Sequence, residues 1–277
     1  MDRDKIIINF CPTGMVPDKN MTPNVPESVE EIVEQTHEAY EQGITIVHLH
    51  ARGDDGKPTW KSSVYRDIFE GIRKHCPGLV LCGSTSGRLF SEFEKRSEVI
   101  ELKPDMCSLT LSSLNFYGHA SVNEPEMIEK LALKMQDYGV SPELECFDLG
   151  MINYGNYLIG KEILKRPYYW NLIFGNIAGF QANLNEMGTA AEKIPSDHYV
   201  SFAGLGRFQL RANAAAIAMG YGVRVGLEDN IWWNKADRQY ATNIDLIKRI
   251  HSLIELNGKT HLSSETFGEY GFYNSKK

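Results

Sequence analysis

Short apolar runs, many of them β-branched, alternate along the chain with longer segments whose apolar positions recur at helical spacing, and the alternation repeats eight times. The runs are typical of buried strands, and the longer segments are typical of amphipathic helices. Predicted strands cover residues 5–11, 44–51, 79–85, 105–110, 143–148, 170–175, 198–204 and 223–229. Predicted helices cover residues 28–42, 62–76, 90–102, 124–139, 151–164, 181–193, 208–219 and 243–256.

Eight consecutive strand–helix units predict an α/β protein, namely a (β/α)8 TIM barrel. An open doubly wound sheet shares the alternation, but no GxGxxG motif opens a helix after the first strand. No linker or low-complexity tract interrupts the series, so we expect one barrel domain spanning residues 1–277. Two long unpatterned segments, residues 12–27 and 230–242, follow the first and last strands. Enzymes of this fold have their sites at that end of the barrel, which predicts a covered pocket there.

Charge and composition narrow the classes of partner. The 29 basic and 36 acidic residues give a net charge of −7, which leaves no broad cationic surface for nucleic acid or anionic lipid. The amino terminus contains acidic residues and only a short apolar run, unlike a secretory signal, and no segment approaches membrane-spanning length. The five cysteines show no CxxC spacing, and their number is odd, which argues against a disulfide framework. These features favour the cytoplasm.

The clearest chemical motif is a pair of histidines at the carboxyl end of the second strand. His48 and His50 lie two residues apart, so both imidazoles face the same pocket. Such a pair suits zinc or a related divalent metal, although two hydrogen-bonded core histidines would give the same pattern. Glu228 ends the eighth strand, which barrel closure brings close to the second. Two histidines and a carboxylate are typical of a catalytic metal site, unless Glu228 only caps the following loop.

Strand parity also places Arg224 on the side of Glu228, where a buried guanidinium needs an acidic partner. Glu145, in the middle of the fifth strand, is the candidate, and the pair could equally do no more than neutralise the barrel interior. Asp229 breaks the alternation, so it reaches the pocket only if the strand ends or bulges before it. Hydroxyl clusters at residues 83–88 and 107–113, and glycine-rich ends at 175–179 and 203–207, fit either ligand binding or tight turns.

In combination and order, seven short motifs resemble those of the β-keto acid cleavage enzymes, a family that includes the 3-keto-5-aminohexanoate cleavage enzyme. The motifs are PTG at 12–14, VHLHAR at 47–52, STSGR at 84–88, LNF at 114–116, PELE at 142–145, AGLGR at 203–207 and GLEDN at 226–230. The resemblance covers nearly the full length. It implies a (β/α)8 barrel assembled as a homotetramer, with zinc bound by His48, His50 and Glu228.

The resemblance also implies an activity. Members of the family join a β-keto acid to acetyl-CoA and yield acetoacetate and a new CoA thioester. The metal polarises the keto acid, an aspartate removes a proton, and addition to acetyl-CoA precedes thioester exchange and retro-Claisen cleavage. By resemblance the base is Asp229, tuned by Arg224, Glu145 and Ser84. A carboxylate near a guanidinium and a hydroxyl is suited to exchange a proton with a substrate.

The resemblance also assigns three further residues to substrate binding. Ser108 and Thr110 belong to the hydroxyl cluster at 107–113, and relatives often have threonine in place of Ser108. Val16 occupies the place of a glutamate that, in the aminohexanoate enzyme, holds the substrate's ammonium group. We therefore expect a different keto acid, with a neutral or apolar tail, or with an anionic tail if Lys19 reaches into the pocket.

Other functions stay open. A metal-dependent hydrolase is a weaker alternative, because such barrels add histidines from middle strands, whereas the remaining histidines here fall mostly on predicted helices, loops or strand starts. A metal-dependent retro-aldol lyase that needs no CoA is a closer rival, since residue spacing does not reveal a CoA site. A non-catalytic barrel that binds a metal or metabolite is disfavoured by the intact set of Asp229, Arg224 and Glu145.

Overall fold

The computed structural model describes residues 2–276 and contains a closed barrel of eight parallel strands. Consecutive strands are neighbours, and the last pairs with the first to close the barrel, with Val223 opposite Ile8. The strands are β1 (Ile8–Phe10), β2 (Ile46–Leu49), β3 (Val80–Gly83), β4 (Met106–Thr110), β5 (Ser141–Cys146), β6 (Tyr169–Phe174), β7 (Tyr199–Gly204) and β8 (Gly222–Val225). The predicted (β/α)8 barrel is confirmed.

One helix follows each strand and covers the outside of the barrel. The helices are α1 (Val29–Gln42), α2 (Ser62–His75), α3 (Phe93–Glu101), α4 (Pro125–Tyr138), α5 (Leu149–Gly160), α6 (Leu184–Glu192), α7 (Gln209–Met219) and α8 (Asn243–Leu256). A capping box begins α1: Ser28 Oγ accepts from the backbone N–H of Glu31, whose carboxylate accepts from the N–H of Ser28. Within residues 2–276 no helix is long and apolar enough to cross a membrane.

The carboxyl-terminal segment closes the lower end of the barrel, a feature that the alternating pattern does not predict. A short helix α9 (Ser264–Phe267) leads into a π-helical turn, Gly268–Phe272. The rings of Phe267 and Phe272 stack with centroids 4.0 Å apart, and both pack on Tyr169 at the start of β6. Because these aromatic side chains fill the amino-terminal end of the barrel, its carboxyl-terminal end is the one left for ligands.

The eighth strand is shorter than predicted, because β8 ends at Val225 instead of continuing to residue 229. A Cβ at Gly226 would lie 2.0 Å from the carbonyl oxygen of Cys11, so only glycine fits where the chain passes β1. The chain then turns, and the backbone N–H groups of Asp229 and Asn230 both donate to the carbonyl of Gly226. This turn replaces strand alternation and brings Glu228 and Asp229 to the same side.

Candidate active site

A cavity of about 320 Å³ opens at the carboxyl-terminal end of the barrel. Its wall is mixed, with polar side chains beside apolar ones such as Val16, Phe116 and Phe147. Nine of the ten residues that the sequence assigns to the site line this cavity, and Ser108 is the exception. The charged or titratable part of the lining is formed by seven side chains: His48, His50, Arg88, Glu145, Arg224, Glu228 and Asp229.

The three predicted metal ligands converge. Nε2 of His48 lies 3.2 Å from Nε2 of His50, which lies 3.2 Å from Oε1 of Glu228. The distance from Nε2 of His48 to Oε2 of Glu228 is 3.9 Å. In a tetrahedral site with bonds of about 2.1 Å, the ligand atoms lie about 3.4 Å apart, so these spacings suit a small divalent cation.

Two further observations test whether the site fits a cation. Oε2 of Glu228 is buried and accepts no hydrogen bond from residues 2–276, a costly state that a bound cation would relieve. Burial and Arg224 lower the pKa of His48, but Glu143 and Glu228 outweigh them and raise it. Burial lowers the pKa of the neighbouring His50, which favours the neutral imidazole that a metal needs. A divalent ion would supply the positive charge that His48 otherwise gains as a proton. The three residues fit a metal.

Glu143, which the sequence analysis did not single out, orients one of these ligands. Its Oε2 lies 2.6 Å from Nδ1 of His48, and its Oε1 accepts from the side-chain amides of Asn9 and Asn171. Burial alone would raise its pKa, but His48 and Arg224 hold the pKa of Glu143 well below its usual range. A carboxylate on Nδ1 leaves Nε2 of the imidazole available for a metal, an arrangement common around metal-binding histidines.

A second group of side chains, His48, Cys82 and Glu143, is also close enough to hold an ion. Burial and the neighbouring Glu143 raise the pKa of the Cys82 thiol well above its usual range. The thiol therefore donates to Oε2 of Glu143 across 3.2 Å, and this oxygen also lies beside Nδ1 of His48. A metal binds the thiolate and not the protonated thiol. We therefore interpret Cys82 and Glu143 as residues that orient His48, and not as ligands of a second metal.

Arg224 joins the carboxylates around the cavity. Its Nη1 lies 3.2 Å from Glu145, its Nη2 2.6 Å from Glu228 and its Nε 3.0 Å from Asp229. The side chain is almost fully buried, and its charge is balanced by these three acids. The predicted partner Glu145 is thus in place, and Thr110 donates a hydrogen bond of 2.8 Å to its Oε2.

Asp229 reaches the cavity, which parity alone left undecided. Burial raises its pKa and Glu228 adds to the effect, whereas Arg224 opposes both. Its Oδ2 accepts from Nε of Arg224 and from the thiol of Cys11. No hydrogen bond from residues 2–276 engages Oδ1. One oxygen is therefore held in position while the other is available to exchange a proton.

Of the remaining predicted residues, Ser84 and Val16 line the cavity, whereas Ser108 and Lys19 do not. The hydroxyl of Ser84 lines the cavity and accepts from the N–H of Ser86. Ser108 is buried, and its hydroxyl accepts from the N–H of Thr85 outside the cavity lining. Val16 lines the cavity and is 46% exposed. Lys19 forms an ion pair with Glu31 on the surface and does not line the cavity.

A family model described as beta-keto acid cleavage enzyme matches residues 5–268 of this chain. The chain belongs to the β-keto acid cleavage enzyme family. It is 34% identical over 257 residues to the 3-keto-5-aminohexanoate cleavage enzyme of Fusobacterium nucleatum, covering 92% of this chain and 93% of that protein. The resemblance seen in the sequence motifs is confirmed.

Two other comparisons extend this result. The chain is 33% identical over 258 residues to the 3-oxoadipate:acetyl-CoA acetyltransferase of Cupriavidus necator, covering 91% of this chain and 89% of that protein. A solved structure of ObcA with oxaloacetate is similar to this chain, with a TM-score of 0.77 and 19% sequence identity. The match covers 91% of this chain and 68% of the ObcA chain. At that identity the structural likeness concerns the fold alone.

Proposed function

We propose that the protein is a zinc-dependent β-keto acid cleavage enzyme that uses acetyl-CoA and yields acetoacetate and a new acyl-CoA. The observation that supports this best is the convergence of His48, His50 and Glu228 beside Asp229 in one cavity. A three-ligand site leaves coordination positions open for substrate oxygens. A carboxylate with a free oxygen lies in the same cavity, as an enzyme that removes a proton next to a carbonyl group requires.

His48, His50 and Glu228 would hold the metal, whose contribution when bound is to act as a Lewis acid toward the keto group. Glu143 keeps His48 oriented through Nδ1. Arg224 forms ion pairs with both Glu228 and Asp229 and so reduces the repulsion between the two carboxylates. The protein residues thus fix the ligands and the base in one rigid arrangement before substrate enters.

Asp229 is the proposed base. Through Oδ1 it removes a proton from C2 of the β-keto acid, between the carboxylate and the keto group. The pKa of Asp229 is raised above that of an ordinary aspartate, and the carboxylate is therefore a stronger base. Arg224, Glu145 and Ser84 act on this step by holding Asp229 and the substrate in place, and Thr110 holds Glu145.

The carbon balance follows from that proton transfer. C2 of the keto acid adds to the thioester carbonyl of acetyl-CoA, and the CoA thiolate leaves and attacks the keto carbonyl. Cleavage of the bond between C2 and C3 then releases a new acyl-CoA. C2 recovers a proton from Asp229, and the remaining four carbons leave as acetoacetate. No redox partner or further co-reactant is needed.

The apolar side chain of Val16 favours a keto acid without an ammonium group. An ammonium ion there would lose part of its hydration, because Val16 is only 46% exposed, and residue 16 offers no carboxylate in return. Ser84 and Thr110 supply the hydroxyl groups proposed to contact the substrate. Ser108 is proposed to act on the substrate site through Thr85, since its hydroxyl holds that backbone N–H.

The test is a panel of β-keto acids incubated with zinc-loaded protein, with and without acetyl-CoA. Acetoacetate and a matching new acyl-CoA should form only when acetyl-CoA is present. Cleavage without acetyl-CoA would favour the retro-aldol alternative, and the absence of turnover with every acid would favour a non-catalytic barrel. We also propose a cytoplasmic location, from the sequence features, and a homotetramer, from the family resemblance. Light scattering of the purified protein tests the tetramer.

A further inference from the structure

Arg88 lines the cavity from the loop that follows β3. Its guanidinium carbon lies 4.1 Å from the centroid of the Phe116 ring, and its Nε donates to Nε2 of His119 across 3.1 Å. Phe116 packs edge to face on Phe147, and both rings line the same cavity. The stacked ring and the hydrogen bond hold the planar guanidinium in one orientation.

The charge of Arg88 is not balanced in the way that the charge of Arg224 is. Within the described part of the chain, residues 2–276, no carboxylate pairs with Arg88 and no hydrogen bond engages either of its terminal nitrogens. Arg224, the other arginine of the cavity, is bound to Glu145, Glu228 and Asp229. Arg88 is therefore the cavity arginine that remains available to a ligand.

We propose that Arg88 is a specificity-determining residue that binds an anionic oxygen group, a carboxylate or a phosphate, of a substrate. Two terminal nitrogens in one plane match two oxygens of such a group. The hydroxyl side chains Ser86 and Ser121 line the same cavity and can add hydrogen bonds. The inference rests on the proposed function and narrows its substrate class.

The reaction offers two sources of such a group. One is a second carboxylate at the far end of the keto acid, and the other is the phosphates of acetyl-CoA. Either source agrees with the apolar side chain at position 16, because a cation at Arg88 attracts an anionic tail and repels an ammonium group.

The experiment measures binding by calorimetry in zinc-loaded wild type, Arg88→Met and Arg88→Lys. For the keto acid, the probes are 3-oxohexanedioate and 3-oxohexanoate without acetyl-CoA, a pair of equal length that differs in the terminal carboxylate. For the nucleotide, the probes are CoA and pantetheine, which lacks the phosphates. Methionine keeps an apolar contact with Phe116 and removes the charge, whereas lysine keeps the charge and removes the planar fork.

Arg3→Met is the matched control. The guanidinium of Arg3 also stacks on an aromatic ring, 4.6 Å from the centroid of Tyr221, which directly precedes β8 at the closed end of the barrel. Its replacement should leave the affinity for all four probes unchanged. Circular dichroism checks that each variant is folded, and Arg88→Lys provides the comparison if Arg88→Met does not fold.

Arg88→Met should weaken the binding of one anionic probe by about tenfold or more. The affinity for the matched probe that lacks the terminal carboxylate or the phosphates should not change, and Arg88→Lys should recover part of the loss. If only the binding of 3-oxohexanedioate is weakened, the anion that Arg88 binds is the terminal carboxylate of the keto acid. If only the binding of CoA is weakened, the anion is a phosphate of CoA. Equal losses within each pair, or no loss, would overturn the proposal. Failure of the proposed function is a separate outcome, since wild type would then bind the probes without forming acetoacetate.

Discussion

Replacing Gly14 by alanine should displace Glu228 and weaken metal binding. A Cβ at position 14 would lie 2.3 Å from Cγ of Glu228 and 2.9 Å from its Cδ. Non-bonded carbon atoms pack at about 3.5 Å or more, so one of the two residues must shift by about 1.2 Å. Glu228 has little freedom to adjust in place, because Nη2 of Arg224 holds it at 2.6 Å and His50 at 3.2 Å.

A shift of that size acts on both the ligand geometry and the reaction. We expect the dissociation constant for zinc to rise by about tenfold or more, and kcat/KM to fall by about a hundredfold, the scale of a misplacement of about 1 Å. Competition with a chromogenic chelator measures the first quantity, and the acetoacetate assay measures the second. Thermal unfolding shows whether the barrel itself is intact.

Gly188→Ala is the matched control, because a Cβ at that position in α6 meets no atom within 4 Å. It should bind zinc like wild type and gain slightly in stability, since alanine favours a helix. If Gly14→Ala binds zinc as tightly as this control, Glu228 is not the third ligand in the position described.

Three further predictions concern single residues of the site. His48→Ala or His50→Ala should lose the metal, as measured by elemental analysis, and stoichiometric zinc in either variant would argue against the ligand set. Asp229→Asn should retain the metal and the fold but lower turnover by at least about a hundredfold, and near-normal turnover would move the base elsewhere. Val16→Glu should shift the kcat/KM ratio toward 3-keto-5-aminohexanoate and away from an uncharged analogue of equal length. A shift of about tenfold is expected instead of a larger one, because residue 16 is 46% exposed and stays partly hydrated. An unchanged ratio would place the substrate tail away from the first loop.

Local patterns predict most of the barrel because each buried strand is an apolar run and each covering helix has an apolar face. The same reasoning predicts that His48 and His50 face one pocket, since strand parity is a property of the backbone. The joint placement of Glu228 and Asp229 is different. It depends on the turn at Gly226, which is set by the close approach of Cys11, the residue directly after β1.

Glu143 and Arg88 were missed for a related reason. Glu143 shares strand parity with Glu145 in the PELE segment, a signal that could have been followed. Its partner His48 lies on β2, however, and the contact between them depends on how the whole barrel closes. In the sequence, Arg88 stands at the end of a hydroxyl cluster and of the STSGR motif, and neither pattern assigns it a role. Its orientation depends on Phe116 in a hairpin, Leu114–Phe116 paired with His119–Ser121, which the pattern did not predict.

The most direct test of the proposed reaction is the fate of an acetyl group labelled with carbon-13 at both carbons. Zinc-loaded protein is incubated with labelled acetyl-CoA and an unlabelled β-keto acid, and the acetoacetate is analysed by nuclear magnetic resonance. The proposed reaction places the label in C3 and C4 of acetoacetate, with C1 and C2 unlabelled. Unlabelled products, or cleavage that proceeds equally well without acetyl-CoA, would contradict the account.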